Sequence, residues 1–213
     1  EVDDALAADD AAYAVFAPAK TMRVLLVGRP DAFLEAALSR FPGVLLKRVD
    51  AVDPVDGARE LDGYDLAVFD GGDPPPVERG NVLVFGAVPP GLPLEPRGAV
   101  TGPRFTSWDR GHPLLASLGL GPVVIERALA TVAGPGVKVI ARSRDTPLVA
   151  TWEREDLRVL FVAFRPSQSD LPLRAAFPLF TANALAWFRP GVLGADASSR
   201  RTGETVEIGV PGD

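Results

Sequence analysis

Two carboxylates separated by a pair of glycines are the first residues of this sequence that could do chemistry. The segment Asp70-Gly71-Gly72-Asp73 follows the apolar run 64–69, and the carboxyl ends of strands are where open α/β sheets bind ligands. Carboxylate oxygens and exposed amides there could hold a hard cation or a sugar hydroxyl. The same residues are also typical of a tight turn, with Gly for unusual backbone angles and Asp for local hydrogen bonds. The predicted binding residues are Asp70, Gly71, Gly72 and Asp73.

His112 is the only histidine in the chain. It is the one side chain whose ordinary pKa suits a general base near pH 7, so it joins the predicted binding site. The alternative is a structural role, in which the ring nitrogens bond backbone groups ahead of a short helix at 113–118. A single histidine cannot make a histidine-rich metal site, so the sequence predicts no metal.

Ser169 and Asp170 offer a second kind of chemistry. With His112 they would supply the nucleophile, acid and base of a hydrolase. The alternative is helix capping, since a short polar side chain accepts hydrogen bonds from the free amides of a first turn. Pro172, two residues further on, also fits the start of a helix.

Composition excludes several functions. The net charge is −6 with a pI near 4.9, and no block of Lys and Arg is present, so nucleic acid is an unfavourable partner. The same acidity argues against an anionic membrane surface. The chain has no cysteine, which removes thiolate chemistry and most structural zinc sites. Neither a Gly-x-Gly-x-x-Gly sequence nor a P-loop follows the first apolar run at Gly28, and the sequence predicts no cofactor.

The elements that must position these residues begin with apolar runs that end at glycine or at a turn. Runs of this kind are typical of strands buried on both faces. Strands are predicted at 23–28, 44–49, 64–70 and 81–86, with a helix opened by Pro30 and Asp31. This order of strands and helices indicates a parallel doubly wound sheet.

The second half of the chain has a different pattern. Short strands are predicted at 123–128, 137–142, 147–152 and 158–164, separated by turns rather than helices. This spacing favours antiparallel strands added at one edge of the sheet. An apolar helix at 173–188 then returns over the sheet, with Phe177, Phe180, Ala184 and Trp187 on one face, widened by Leu173 and Phe188. We expect the buried amide of Asn183 to bind a neighbouring loop.

Three stretches resemble one protein family. They are 7–13 (AADDAAY), 108–115 (WDRGHPLL) and 169–188 (SDLPLRAAFPLFTANALAWF). They are similar to the region that follows a von Willebrand factor type A domain in bacterial membrane-anchored proteins of the aerotolerance, BatA-like kind. The resemblance implies a class I glutamine amidotransferase-like, flavodoxin-like fold. It also implies an amidotransferase-like domain over 21–190, with residues 1–20 ending a preceding segment and residues 191–213 leading to a following one. The implied location is extracytoplasmic, in the periplasm, through a membrane-anchored parent.

Class I amidotransferases use a nucleophilic Cys, helped by His and Glu, on a tight strand-to-helix turn. The equivalent turn here is expected at 86–90 (GAVPP), which has no Cys. The resemblance therefore implies a degenerate copy that is not an enzyme. It would act as an interaction or scaffold domain, with protein partners or neighbouring domains of the same chain, and would meet a membrane only through other parts of the parent. Two alternatives stay open: a module that binds a sugar or an ion at the ends of the strands finishing at Gly28, Asp70 and Gly86, and a hydrolase built on Ser169, His112 and Asp170.

Overall fold

The computed structural model describes residues 21–53, 56–144 and 146–189. The strands are β1 Met22–Gly28, β2 Val44–Val49, β3 Leu66–Asp70, β4 Gly80–Phe85, β5 Leu94–Thr101, β6 Ser107–Trp108, β7 Arg127–Ala133, β8 Lys138–Arg142, β9 Pro147–Arg154 and β10 Leu157–Val162. The helices are α1 Ala32–Ser39, α2 Gly57–Leu61 and α3 Ala176–Phe188, with 3-10 turns at Pro113–Leu115, Pro166–Gln168 and Leu171–Leu173.

Eight strands form one mixed sheet in the order β2-β1-β3-β4-β10-β9-β8-β6. β1 pairs in parallel with β2 and β3, and β4 pairs in parallel with β3 and β10. The pairs beyond β10 are antiparallel. The predicted α/β class, a mainly parallel sheet with antiparallel strands at one edge, is therefore confirmed.

The central strands form as predicted because they are apolar on both faces. Every residue of β3 is buried, and β10 is buried at all but its second residue. Helix α1 begins where Asp31 Oδ1 accepts hydrogen bonds from the amides of Phe33 and Leu34, each at 3.0 Å. Such a cap satisfies two of the amides that a helix start leaves free. α1 and α3 contact each other, and α3 also contacts the turn Pro113–Leu115, so these three form one layer.

Two predictions for the middle of the chain are wrong. The strand expected at 123–128 begins only at Arg127, and it pairs with β5 in a separate two-stranded sheet. β5 is not predicted, because Pro96 and Gly98 interrupt its apolar pattern. The helix expected at 113–118 is only the 3-10 turn Pro113–Leu115.

The apolar face of α3 is buried much as the spacing predicts. Phe177, Phe180 and Ala184 are buried, whereas Trp187 is half-buried beneath Arg158, whose guanidinium carbon lies 5.7 Å from the indole centroid. Leu173 does not widen this face. It belongs to the turn Leu171–Leu173, before α3 begins, and its side chain is 75% exposed.

Asp65 holds the two ends of the described domain together. Its Oδ2 accepts a hydrogen bond from the backbone amide of Arg23 at 2.7 Å, at the start of β1. Its Oδ1 lies 2.7 Å from Nη1 of Arg189, directly after α3. Residues 1–20 and 190–213 therefore join the domain at the same edge of the sheet, and the segments predicted there lie outside the described residues.

Candidate functional site

The carboxyl ends of β3, β4 and β10 meet at a buried ion pair. Asp70 ends β3, and its side chain is only 1% exposed. Arg165 follows β10 and binds both carboxylate oxygens, with Nε–Oδ1 at 2.9 Å and Nη2–Oδ2 at 2.7 Å. The hydrogen bond with Asp70 raises the pKa of Arg165 above its ordinary value. Such bidentate pairs are strong and directional, so Asp70 has both oxygens engaged.

Two glycines make room for the arginine. Gly71 has φ +72° and Gly86 has φ +65°. A Cβ on Gly71 would lie 3.1 Å from Cδ of Arg165, and one on Gly86 would lie 2.9 Å from its Cγ. Any other residue would combine backbone strain with a clash against the arginine stem. The chain after β4, where the resemblance places an amidotransferase-type nucleophile, is thus packed directly against Arg165.

A crevice of about 290 Å³ lies beside the ion pair, at the ends of β1 and β3. It is lined by Val27, Gly28, Asp50, Ala51, Val52, Phe69, Gly71, Gly72 and Asp73. In this sheet the chain leaves β1 to one side and later returns on the other, so the crevice is at the topological switch point where such folds bind ligands. We call it the switch-point crevice.

The structure divides the predicted binding residues among three places. Gly71, Gly72 and Asp73 line the switch-point crevice, whereas Asp70 faces Arg165 and does not line it. His112 does not line it either. The sequence analysis missed Arg165, whose only signal was its position directly after a buried strand, and Asp50, which follows β2 at the same edge.

Arg48 fixes the position of Asp50 at the rim of the crevice. Its Nη1 lies 2.5 Å from Oδ1 of Asp50 and donates to the backbone carbonyl of Gly28 at 3.2 Å. The hydrogen bond with Asp50 raises the pKa of Arg48. One rim carboxylate is therefore neutralised by a neighbour, and Asp73 supplies the other. Among the described residues, no group of three or more His, Cys, Asp or Glu side chains is arranged to hold a metal ion.

His112 caps the turn Pro113–Leu115. Its Nδ1 accepts a hydrogen bond from the amide of Leu114 at 3.3 Å. Burial lowers the pKa of His112, and the charge of Lys138 lowers it further, while Asp109 and Glu153 oppose the shift. The imidazole is therefore kept neutral, and one of its nitrogens is used by the backbone.

Ser169, His112 and Asp170 each have other hydrogen-bond partners. The Ser169 hydroxyl donates to the carbonyl of Pro166 at 3.1 Å and accepts from the amide of Leu171 at 3.3 Å. The Asp170 carboxylate accepts from the amide of Val124 at 2.8 Å and forms an ion pair with Arg174, whose hydrogen bond lowers the pKa of Asp170. No hydrogen bond of the described residues joins any two of the three, so this arrangement contains no assembled triad.

Asn183 makes the contact expected of it. Its side-chain amide donates to the carbonyls of Leu114 and Ala116, at 3.3 and 3.1 Å. α3 is thereby joined to the turn that His112 caps, and the buried amide has a structural use.

No protein-family profile matches the sequence, and no curated protein is similar to it. Solved structures do share the fold. Cytoplasmic Protein STM1381 from Salmonella typhimurium LT2 has a TM-score of 0.61 at 15% identity, over 78% of this chain and 99% of that one. Cytoplasmic Protein STM3548 from Salmonella typhimurium has a TM-score of 0.59 at 14% identity, over 78% and 98%. A protein assigned to GMP synthase, from Thermoplasma acidophilum, has a TM-score of 0.53 at 14% identity, over 78% and 96%.

These likenesses establish a glutamine amidotransferase-like fold. They do not bear on the association with a von Willebrand factor type A domain, which stays a prediction. The expectation of a membrane-anchored, extracytoplasmic protein is wrong, because two similar structures are cytoplasmic proteins. In addition, none of the helices in the described ranges is long and apolar enough to cross a membrane. Proteins of this fold include both components assigned to enzymes and proteins whose names state no activity, so the likeness leaves the activity open.

Proposed function

We propose that this chain is a non-catalytic member of the glutamine amidotransferase-like fold that acts by binding other proteins or neighbouring segments of its own chain. The observation that carries the proposal is the Arg165–Asp70 ion pair at the carboxyl ends of β3, β4 and β10. It fills the space beside Gly86, where the fold would otherwise present a nucleophile.

The ion pair is a poor catalyst in its own right. Asp70 has a side chain that is 1% exposed and has both oxygens bound, so it cannot approach a substrate proton. A general base must reach the proton it removes at about 2.6–3.2 Å. Arg165 is held by the same two hydrogen bonds and packs on Gly71 and Gly86. The pair therefore supports a structural use of the edge that enzymes of similar fold use for chemistry.

The remaining chemical groups support the same conclusion. The chain has no cysteine, and Ser169 is bound at both its donor and its acceptor sides. An unactivated hydroxyl is a weak nucleophile near neutral pH.

A hydrolysis assay tests this proposal. The purified chain is incubated with glutamine and, separately, with p-nitrophenyl acetate, and ammonia or nitrophenol release is compared with that of buffer. We expect the two rates to be equal, and we expect Ser169→Ala and His112→Ala variants to match the unmodified chain. A rate above buffer that either variant abolishes would show that the chain is a hydrolase and that the proposal is wrong.

The switch-point crevice supports a second candidate function, the binding of a small neutral ligand such as a sugar. Its floor is apolar at Val27, Val52 and Phe69, and its rim carries Asp50 and Asp73 as hydrogen-bond acceptors. Apolar walls with a few polar groups are typical of small-molecule sites.

A thermal-shift screen tests the second function. Sugars and divalent ions at millimolar concentration are added to the chain and to an Asp73→Asn variant, with Asp156→Asn as a control outside the crevice. A ligand present at 100 times its Kd stabilises the folded state by about 2.7 kcal/mol, which raises the Tm by several degrees. The function requires a rise that Asp73→Asn reduces and Asp156→Asn does not. No rise with any compound would exclude it for these ligand classes.

A further inference from the structure

Two adjoining cavities of about 510 and 470 Å³ lie at the amino ends of β4 and β10, on the opposite edge of the sheet from the switch-point crevice. They share Leu61, Asp62 and Arg79. We call them the amino-end groove. The rest of its lining is Tyr64, Ala67, Gly80, Asn81, Val82 and Asp156 on one side and Ala58, Arg59, Pro76, Val77 and Glu78 on the other.

The groove exists because the connections on this face are short of helix. α2, which joins β2 to β3, has only five residues. The connection from β3 to β4 contains no helix and includes three consecutive prolines at 74–76. Ala67 and Val82 pair in register across β3 and β4, so their side chains point to the same face and lie along the groove. A longer helix in either connection would cover this part of the sheet.

The described chain ends beside the groove. Arg189, the last described residue, pairs with Asp65 at 2.7 Å. The backbone carbonyl of Asp65 accepts a hydrogen bond from Nδ2 of Asn81, a groove residue, at 2.9 Å. Residues 190–213 therefore leave the domain one side chain away from the groove. Extended, a segment of that length reaches about 80 Å, so distance does not prevent any part of it from entering.

The sequence of that segment suits the groove. Residues 204–210 (ETVEIGV) alternate, with Val206, Ile208 and Val210 at every second position and Glu204 and Glu207 among the others. The groove offers Leu61 and Val77 as apolar contacts. Arg59 on its rim is exposed and has the charge opposite to that of the two glutamates.

We propose that residues 204–210 bind in the amino-end groove, with Val206 and Ile208 facing Leu61 and Val77. Binding of this kind buries apolar side chains against a ready-made concave surface and forms no new covalent bond. The segment then takes the place of the helix that the connections on this face lack.

Hydrogen exchange of the full chain tests the proposal. A Val206→Asp/Ile208→Asp variant is compared with the unmodified chain, and a Thr205→Asp/Gly209→Asp variant adds the same charge to the alternate positions as a matched control. We expect amides in 57–62 and 77–82 to exchange at least tenfold faster in the first variant and at the unmodified rate in the control. Amides of β1 and β3 report on global stability and should not change in either.

Three results would overturn the proposal. The first is unchanged exchange at 57–62 and 77–82 in the Val206→Asp/Ile208→Asp variant. The second is equal acceleration in both variants, which would indicate a general effect of charge. The third is protection that falls on dilution of the unmodified chain, which would identify a second copy as the occupant. None of these results depends on the hydrolysis assay, so this proposal can fail independently of the proposed function.

Discussion

At the scale of single residues, Asp70 depends on Arg165 for the neutralisation of its charge. Its carboxylate is almost fully buried, and both oxygens are bound by the one guanidinium. Arg165 itself is partly exposed, which lowers the cost of holding its charge. Removing one member of a buried pair is far more harmful than removing both, because the remaining charge has no partner in a poorly solvated place.

We therefore expect Arg165→Met to destabilise the domain by about 3–5 kcal/mol. Asp70→Leu/Arg165→Met should recover much of this loss, because no uncompensated charge then remains. The measurement is the free energy of unfolding from urea denaturation of the single and double variants. The matched control is Arg79→Met, which breaks an equally bidentate but exposed pair with Asp62 and should change stability far less, because solvent screens exposed pairs. Equal costs for Arg165→Met and Arg79→Met would contradict the role given to burial.

His112 couples folding to pH. Its pKa is lowered in the folded chain by burial and by Lys138, against the opposing charges of Asp109 and Glu153. The unfolded chain therefore binds a proton more readily than the folded one, starting near the ordinary value of about 6.5. The contribution of His112 to stability is complete above that pH and is lost as the pH falls through the folded pKa.

A His112→Asn variant should lose this dependence, because Asn can also accept a hydrogen bond from the Leu114 amide but does not titrate. The measurement is the Tm of both chains from pH 8 to pH 5. We expect the unmodified chain to lose more stability than His112→Asn below about pH 6.5. Parallel curves throughout that range would rule out the assigned role.

At the scale of elements, α3 is held by one apolar face and one amide. Phe177 is 2% exposed, and Asn183 donates to the carbonyls at both ends of the short segment Leu114–Ala116. Apolar burial supplies most of the stabilisation, since it scales with the area removed from water. The two hydrogen bonds of Asn183 add direction, because they require one alignment of α3 with the turn Pro113–Leu115.

Phe177→Ala should cost about 3–5 kcal/mol, through lost burial and the cavity that it leaves. Leu173→Ala is the control, because that side chain is 75% exposed and should change stability by less than about 0.5 kcal/mol. Thermal or urea unfolding of the two variants measures the difference. If Phe177→Ala unfolds like the unmodified chain, α3 is not the principal cover of this face of the sheet.

At the scale of the whole molecule, the sequence predicts the strands whose runs are apolar on both faces. β2 has the predicted bounds, and β1, β3, β4 and β10 differ by one or two residues at their ends. β5 and α2 could not be found in this way, since five of the eight residues of β5 are consecutive exposed positions and α2 is too short to show a period.

The candidate site was only partly predictable for a related reason. Gly71, Gly72 and Asp73 were found because they follow a recognisable strand. The partner of Asp70 is 95 positions away along the chain, and no local pattern links two residues at that separation. Only the parallel pairing of β3, β4 and β10 brings Arg165 to the same edge as Asp70.

The position of Asp65 has a mechanical consequence. One carboxylate holds both the start of β1 and the end of α3, through Arg23 and Arg189. Tension applied through the flanking residues would pull Arg23 and Arg189 apart and load this carboxylate before it stretches any strand. β1 is bonded to β2 and β3 along its length, whereas α3 is anchored by side chains. Under force the domain should therefore peel from the α3 end first, with Asp65 as the contact that yields earliest.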